Sequence, residues 1–171
     1  MTGKEFLNSV TGGKSDVIGF LLALLSESGV DYCVIGGLAV NAYAEPVVSL
    51  DLDIVPVLET LDSFLKNAEK AFRIERFPHS INLTHPHSDL RIQLQTDERY
   101  QDFLKSAVTR NVLGYEMKVA SMEDLLRGKS WAYLDEERRK SKRQKDLADI
   151  LRLIEEHPHL REHLPEALRG L

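Results

Sequence analysis

The chain is poor in the features that would mark it as secreted, membrane-spanning or a coat for nucleic acid. Its 171 residues include one cysteine, Cys33, so no intramolecular disulfide can form, and no C-x-x-C pair is present to begin a zinc site. Within the apolar run YCVIGG, Cys33 reads as a small buried hydrophobe. The longest apolar run, Val17 to Leu25, is too short to span a bilayer. The N-terminal residues lack a basic region followed by a hydrophobic segment and a cleavage site. These absences predict a cytoplasmic protein with no membrane partner. Positive charge is also short, with 22 Lys and Arg against 27 Asp and Glu, and a net charge of −5 argues against a generic nucleic-acid coat, whose binding leans on phosphate neutralisation. A local basic patch remains compatible with that balance. No internal repeat or low-complexity linker breaks the chain, and its length allows one domain with a real core, or a small domain with a helical appendix.

Against this background the stretch from Val34 to Val57, VIGGLAVNAYAEPVVSLDLDIVPV, stands out. Apolar residues before Gly36 and around Asp53 predict two short buried strands, and the alanine-rich LAVNAYA between them predicts one or two helical turns. On a strand, Asp51 and Asp53 project from one face while Leu50, Leu52 and Ile54 turn to the core. Two adjacent carboxylates repel unless a cation sits between them, and hard oxygen ligands on a strand suit Mg²⁺. Gly36 and Gly37, lacking Cβ atoms, let backbone approach a ligand closely. The amides of the following helix would face an anion. Taken singly, a Gly-Gly turn or a D-x-D strand is common; it is their spacing that points to a phosphate cradle beside a metal clamp.

Ile35-Gly36-Gly37, then thirteen residues, then Asp51-Leu52-Asp53-Ile54 resembles the signature of the DNA polymerase beta-like nucleotidyltransferase superfamily. Within it the chain is most similar to the minimal nucleotidyltransferases and the abortive-infection toxin branch. The resemblance implies that the glycine turn, with Ser49, lies near the phosphates of a nucleoside triphosphate. It also implies that Asp51 and Asp53 bind Mg²⁺ or Mn²⁺, and that a nucleotidyl group passes to an acceptor, with RNA and protein both open. It further implies a lysine on one C-terminal helix and an aspartate at the start of the next. Lys129 and Asp146 match them, Lys129 as a phosphate-binding cation and Asp146 as the carboxylate that organises it or activates the acceptor. Asp149, three residues on, falls on the same helical face as a supporting residue. Three positions depart from the family pattern. Val47 stands where an arginine is common and Ser49 where a threonine is. Gln93 occupies the strand position of a third carboxylate, and a neutral amide cannot replace carboxylate charge on a metal. Asp89 and Asp97, at the two ends of that strand, are the alternatives to it. The departures leave a second reading open, a fold that has lost turnover and serves as a binding or regulatory, antitoxin-like module. A toxin that modifies transfer RNA is a third.

The remaining sequence predicts the support. Residues 1 to 14 form a weakly fixed lead-in or a short helix. Ser15 and Asp16 start a buried helix that Gly29 ends. A helix is predicted over Glu59 to Phe72, strands at FRIERF, within HSINLT and at LRIQLQT, a turn and short helix over Asp97 to Val108, and a hairpin turning near Gly114. Ser121 and Asp124 form a capping box ahead of a helix whose apolar stripe is Leu125, Leu126, Ala132 and Tyr133, with Lys129 free to point elsewhere. Six of the eight residues from Arg138 to Lys145 are basic, which reads as an inter-helix loop, solvated or docking an RNA backbone or acidic partner. Helices over Lys145 to Glu156 and Leu160 to Leu168 close the chain. His85 with His87 and His157 with His159 bring imidazoles close, but on proline-broken turns with no obvious third ligand for zinc. The fold class expected is α+β: a small mixed β-sheet flanked by helices over residues 1–118, then a C-terminal helical portion over 119–171 packed on it.

Overall fold

The computed structural model describes residues 1–12 and 15–171, so the expectation for positions 13 and 14 lies outside the described residues. The chain runs α1 (Gly3–Val10), α2 (Val17–Glu27), β1 (Tyr32–Ile35), α3 (Gly36–Val40), β2 (Asp51–Pro56), α4 (Leu61–Ala68), β3 (Arg73–Arg76), β4 (Ser80–Thr84) and β5 (Arg91–Gln95). A 3-10 helix at Glu98–Ser106 leads to the hairpin β6 (Val108–Val112) and β7 (Tyr115–Val119), followed by α5 (Met122–Leu134) and α6 (Lys140–Glu156). The α+β expectation holds, with seven strands in one mixed sheet of order β3-β4-β5-β2-β1-β7-β6.

The central strand β2 and its two neighbours position the conspicuous residues. β2 lies antiparallel to β1, with Ile35 opposite Asp53, and parallel to β5, with Asp51 beside Arg91 and Asp53 beside Gln93. Side chains alternate across a sheet, so Asp51, Asp53, Arg91 and Gln93 share one face. Leu52, Ile54, Ile92 and Leu94 take the other and are buried in a core that includes Leu21, Leu25 and Phe64. Burying each such side chain contributes about 1.5–3 kcal/mol, enough to fix the register and with it the direction of both aspartates.

Several local expectations are corrected. Of the two N-terminal readings the short helix holds, and it is capped: the Thr2 hydroxyl accepts from the Glu5 N–H and the Glu5 carboxylate from the Thr2 N–H, a T-x-x-E box. The helix after β2 opens with a 3-10 turn at Leu58–Thr60 and ends at Ala68, short of Phe72. The final helix is two 3-10 turns, Pro158–His163 and Glu166–Leu168. The basic segment is not a loop, because α6 already begins at Lys140 and continues unbroken through Asp146. Four basic residues in its first two turns face the positive end of the helix macrodipole, which is why local reasoning places the start later. The Ser121 hydroxyl accepts from the Asp124 N–H and starts α5 as expected. α5 and α6 pack on one another, and α3 packs on both. No helix among the described residues is long and apolar enough to cross a membrane.

Candidate active site

The glycine turn and the D-x-D strand meet in space because β1 and β2 are neighbours. Gly36 has φ +79°, the left-handed region, and a Cβ built there would collide with the Asp53 carboxylate. Only glycine lets the turn lie against that carboxylate. Gly37 is less constrained, since its Cβ would rest 3.6 Å from Asp149 Oδ2, an ordinary contact. Ser49 shapes the entry to β2: its Oγ accepts from the Asp51 N–H at 3.1 Å.

Helices α5 and α6 form the facing wall. Lys129 Nζ lies 3.1 Å from Asp146 Oδ1 and 2.9 Å from Asp149 Oδ2. Asp146, 1% exposed, accepts at its other oxygen from Arg138 Nε at 2.7 Å. Burial alone would push the Lys129 pKa down, but Asp149 and Asp146 outweigh it and hold the ammonium above the ordinary lysine value. Lys129 is therefore a permanent cation whose direction is set by two carboxylates, and far from being free it is the centre of a network. With both Asp146 oxygens held by cations, that residue is placed to orient Lys129. The expected placement at the start of a helix is corrected to the second turn of α6, where the chain is already buried.

Between these walls opens a cleft of about 550 Å³, lined by Gly36, Asp53, Gln93, Tyr100, Lys129 and Asp146 among others. Asp51 lies two residues before Asp53 on the same strand face, with Arg91 Nε at 2.6 Å and Lys142 Nζ at 3.7 Å. Asp53 is different: it has neither a hydrogen bond nor an ion pair among the described residues. Its burial, reinforced by the neighbouring Asp51 charge and opposed by Lys129, Lys142 and Arg138, pushes its pKa from 3.8 up to about 6. A half-buried carboxylate with no bonded cation, beside a second carboxylate, fits a divalent ion. No group of three or more His, Cys, Asp or Glu side chains is assembled for a metal among the described residues. An ion at Asp51 and Asp53 would thus take its remaining ligands from substrate and water, as Mg²⁺ commonly does.

The raised pKa has a measurable sign. Between pH 3.8 and about 6 the folded chain holds a proton that the unfolded chain has lost. Metal-free stability therefore falls as pH rises through that window. Asp53→Asn removes the cost of ionisation and is expected to stabilise the chelated protein at pH 7 by on the order of 2 kcal/mol, a gain that vanishes near pH 4. Thermal melts of both proteins in chelator across that range check it; a constant difference at all pH values contradicts it.

Of the residues expected at the site, Gly36, Asp53, Lys129 and Asp146 line the cleft, Asp51 sits beside Asp53, and Asp149 holds Lys129. Gly37 and Ser49 are not among the residues lining it. Gln93 stands beside Asp53 in the expected register, whereas Asp97 caps the 3-10 helix and pairs with Arg99, and Asp89 donates its N–H to the Thr11 carbonyl. Of the histidines, His85 stacks near His87 and Phe72, and His157 Nε2 meets the Tyr43 carbonyl.

Four residues escaped sequence reasoning. Arg138 and Arg91 hold Asp146 and Asp51. Arg152 donates to Asp149 Oδ1 at 2.7 Å and, through its other terminal nitrogen, to Asn41 Oδ1 and the Glu45 carbonyl, both at 2.6 Å. Asn41 in turn grips Val47, accepting from its N–H at 3.0 Å and donating to its carbonyl at 2.8 Å. A continuous path thus runs from Lys129 through Asp149 and Arg152 to the loop that delivers Asp51. The only hint was the three-residue spacing of Asp149 and Arg152 on one helix.

No known sequence family matches the chain, and no curated relative does. Solved structures do. The lincosamide antibiotic adenylyltransferase LnuA with lincomycin bound is 14% identical, with a TM-score of 0.57 over 80% of this chain and 95% of that one. The antibiotic-resistance factor ANT(2'')-Ia is 16% identical, with a TM-score of 0.59 over 90% of each chain. An antigenic nucleotidyltransferase-like protein from Paracoccidioides brasiliensis is 22% identical, with a TM-score of 0.55 over 91% of this chain and 78% of that one. The chain has the nucleotidyltransferase fold. At these identities the likeness is one of architecture.

Proposed function

We propose that the protein is a nucleotidyltransferase that moves a nucleoside monophosphate from a nucleoside triphosphate to an acceptor. The observation that carries this reading is the unpaired Asp53 beside Asp51, facing the fixed Lys129 ammonium across a cleft in this fold. Asp51 and Asp53 would hold Mg²⁺ or Mn²⁺, which supplies charge neutralisation and orientation at the phosphates. Gly36 brings backbone close to the phosphates, and Lys129, held by Asp146 and Asp149, adds a cation that needs no rearrangement during reaction. A hydroxyl of the acceptor forms the new bond to the α-phosphorus while the bond to the bridging oxygen breaks and pyrophosphate leaves. Arg139, Lys140 and Lys145 on and before α6 offer charge for an RNA acceptor of the toxin-like kind. The neighbours' lincomycin and adenylyl-tobramycin make small hydroxylated compounds the other class to screen.

Calorimetry with Mg²⁺ and each of the four common triphosphates tests the reading. Metal-dependent binding is expected in the wild type, and at least tenfold weaker binding in the Asp51→Asn, Asp53→Asn double variant, since two charged ligands are lost. If no triphosphate binds the wild type, the proposal fails. Gln93 beside Asp53 favours one alternative, a binding module that holds the nucleotide without turning it over. Tight metal-dependent binding with no pyrophosphate release across the acceptor panel would select it.

A further inference from the structure

The two aspartates of β2 are not equivalent. Asp53 has no cation bonded to it, whereas Asp51 has one on each side: Arg91 Nε on Oδ1 at 2.6 Å and Lys142 Nζ near Oδ2 at 3.7 Å. Arg91 comes from the neighbouring parallel strand, its Cα in register with that of Asp51, and its side chain is 63% exposed. Lys142 comes from the first turns of α6 across the cleft. A guanidinium on one carboxylate oxygen and an ammonium beside the other compete with a divalent ion for the Asp51 charge.

We propose that Arg91, supported by Lys142, is a counter-ion that holds Asp51 until a divalent cation replaces it, and then turns its freed guanidinium onto the polyphosphate that arrives with the cation. The inference rests on the nucleotidyltransferase reading and adds a phosphate ligand to it. The chemistry fits both states. A guanidinium fork pairs with a carboxylate or a phosphate in the same planar geometry, and an exposed side chain moves between them without disturbing the core. The exchange also keeps the site near electrical balance, because the metal's two charges enter as the two side-chain cations leave Asp51 for the incoming anion.

Such an exchange gives Arg91 opposite effects on two ligands, which a merely structural residue does not have. Arg91→Gln is expected to bind Mn²⁺ alone about threefold more tightly, an exposed ion pair being a modest competitor. The same variant is expected to bind inorganic triphosphate in the presence of Mg²⁺ about tenfold more weakly, the loss of one charge-assisted phosphate contact. Mn²⁺ binding is followed by the loss of its free-ion paramagnetic signal and triphosphate binding by calorimetry. Arg73→Gln, on the edge strand β3 two strands away, serves as the control for a change of one charge elsewhere on the protein. Opposite shifts confined to Arg91→Gln support the exchange. Shifts of the same sign, no shift, or equal shifts in Arg73→Gln overturn it while leaving wild-type nucleotide binding intact. A wild type that binds neither Mn²⁺ nor triphosphate overturns the exchange and the proposed function together.

Discussion

Gly36→Ala is expected to cost about 3 kcal/mol of folding stability, combining the strain of a left-handed alanine with overpacking against a carboxylate. The clash is with Asp53, so the variant that does fold must rotate that side chain or move β1 from β2. Either response displaces the carboxylate from the cleft, and Mg²⁺-dependent triphosphate binding is expected to fall at least tenfold along with stability. Gly37→Ala supplies the contrast. It adds a methyl at ordinary contact distance inside a helix and is expected to stay within about 0.5 kcal/mol of the wild type. Urea unfolding and calorimetry on the two variants separate the cases; equal behaviour at both positions would mean that the turn does not shape the site.

The second large effect is expected at Lys129. Lys129→Met keeps the length of the side chain and removes the ammonium from between Asp146 and Asp149. Arg138 still reaches both Asp146 oxygens, Oδ2 at 2.7 Å and Oδ1 at 3.5 Å, and Arg152 still reaches Asp149 Oδ1, yet Asp149 Oδ2 is left with no partner and Asp146 Oδ1 with a long one. Breaking a buried ion network by deleting one partner costs about 3–5 kcal/mol, and the lower end applies because two arginines remain. Triphosphate binding is expected to disappear as well, because the ammonium that faces Asp53 is gone while the two carboxylates that held it remain. The triple variant Lys129→Met, Asp146→Asn, Asp149→Asn is expected to recover much of the stability and none of the binding. Recovery of both would assign Lys129 a purely structural role.

How far the sequence led depends on the range over which each signal acts. The D-x-D strand was legible because alternation over six residues decides which side chains turn inward, and the seven-strand sheet places Asp51 and Asp53 on one face as that pattern requires. The glycine turn was legible because a residue without Cβ marks a close approach, although the sequence alone does not reveal that the approaching group is Asp53. Local rules misplaced the start of α6. They count basic residues at a helix N-terminus as unfavourable, but Arg138 folds back onto Asp146, and Arg143 reaches the Tyr133 carbonyl at the end of α5. The ion pair between Arg91 and Asp51 and the bond from Arg152 to Asn41 were invisible for another reason. Each joins residues far apart in sequence, and no periodicity encodes which arginine will meet which carboxylate.

The grip of Arg152 on Asn41 spans 111 residues. A chain made from its N-terminus has the glycine turn and both aspartates in hand long before the helix that steadies their loop exists. The sheet can pair early, but the segment entering β2 gains its anchor only when α6 docks. The protein therefore cannot have a finished site before α6 has docked. An incompletely made or C-terminally clipped chain would carry the D-x-D strand without the geometry to use it, a built-in check that links competence for chemistry to completion of the fold.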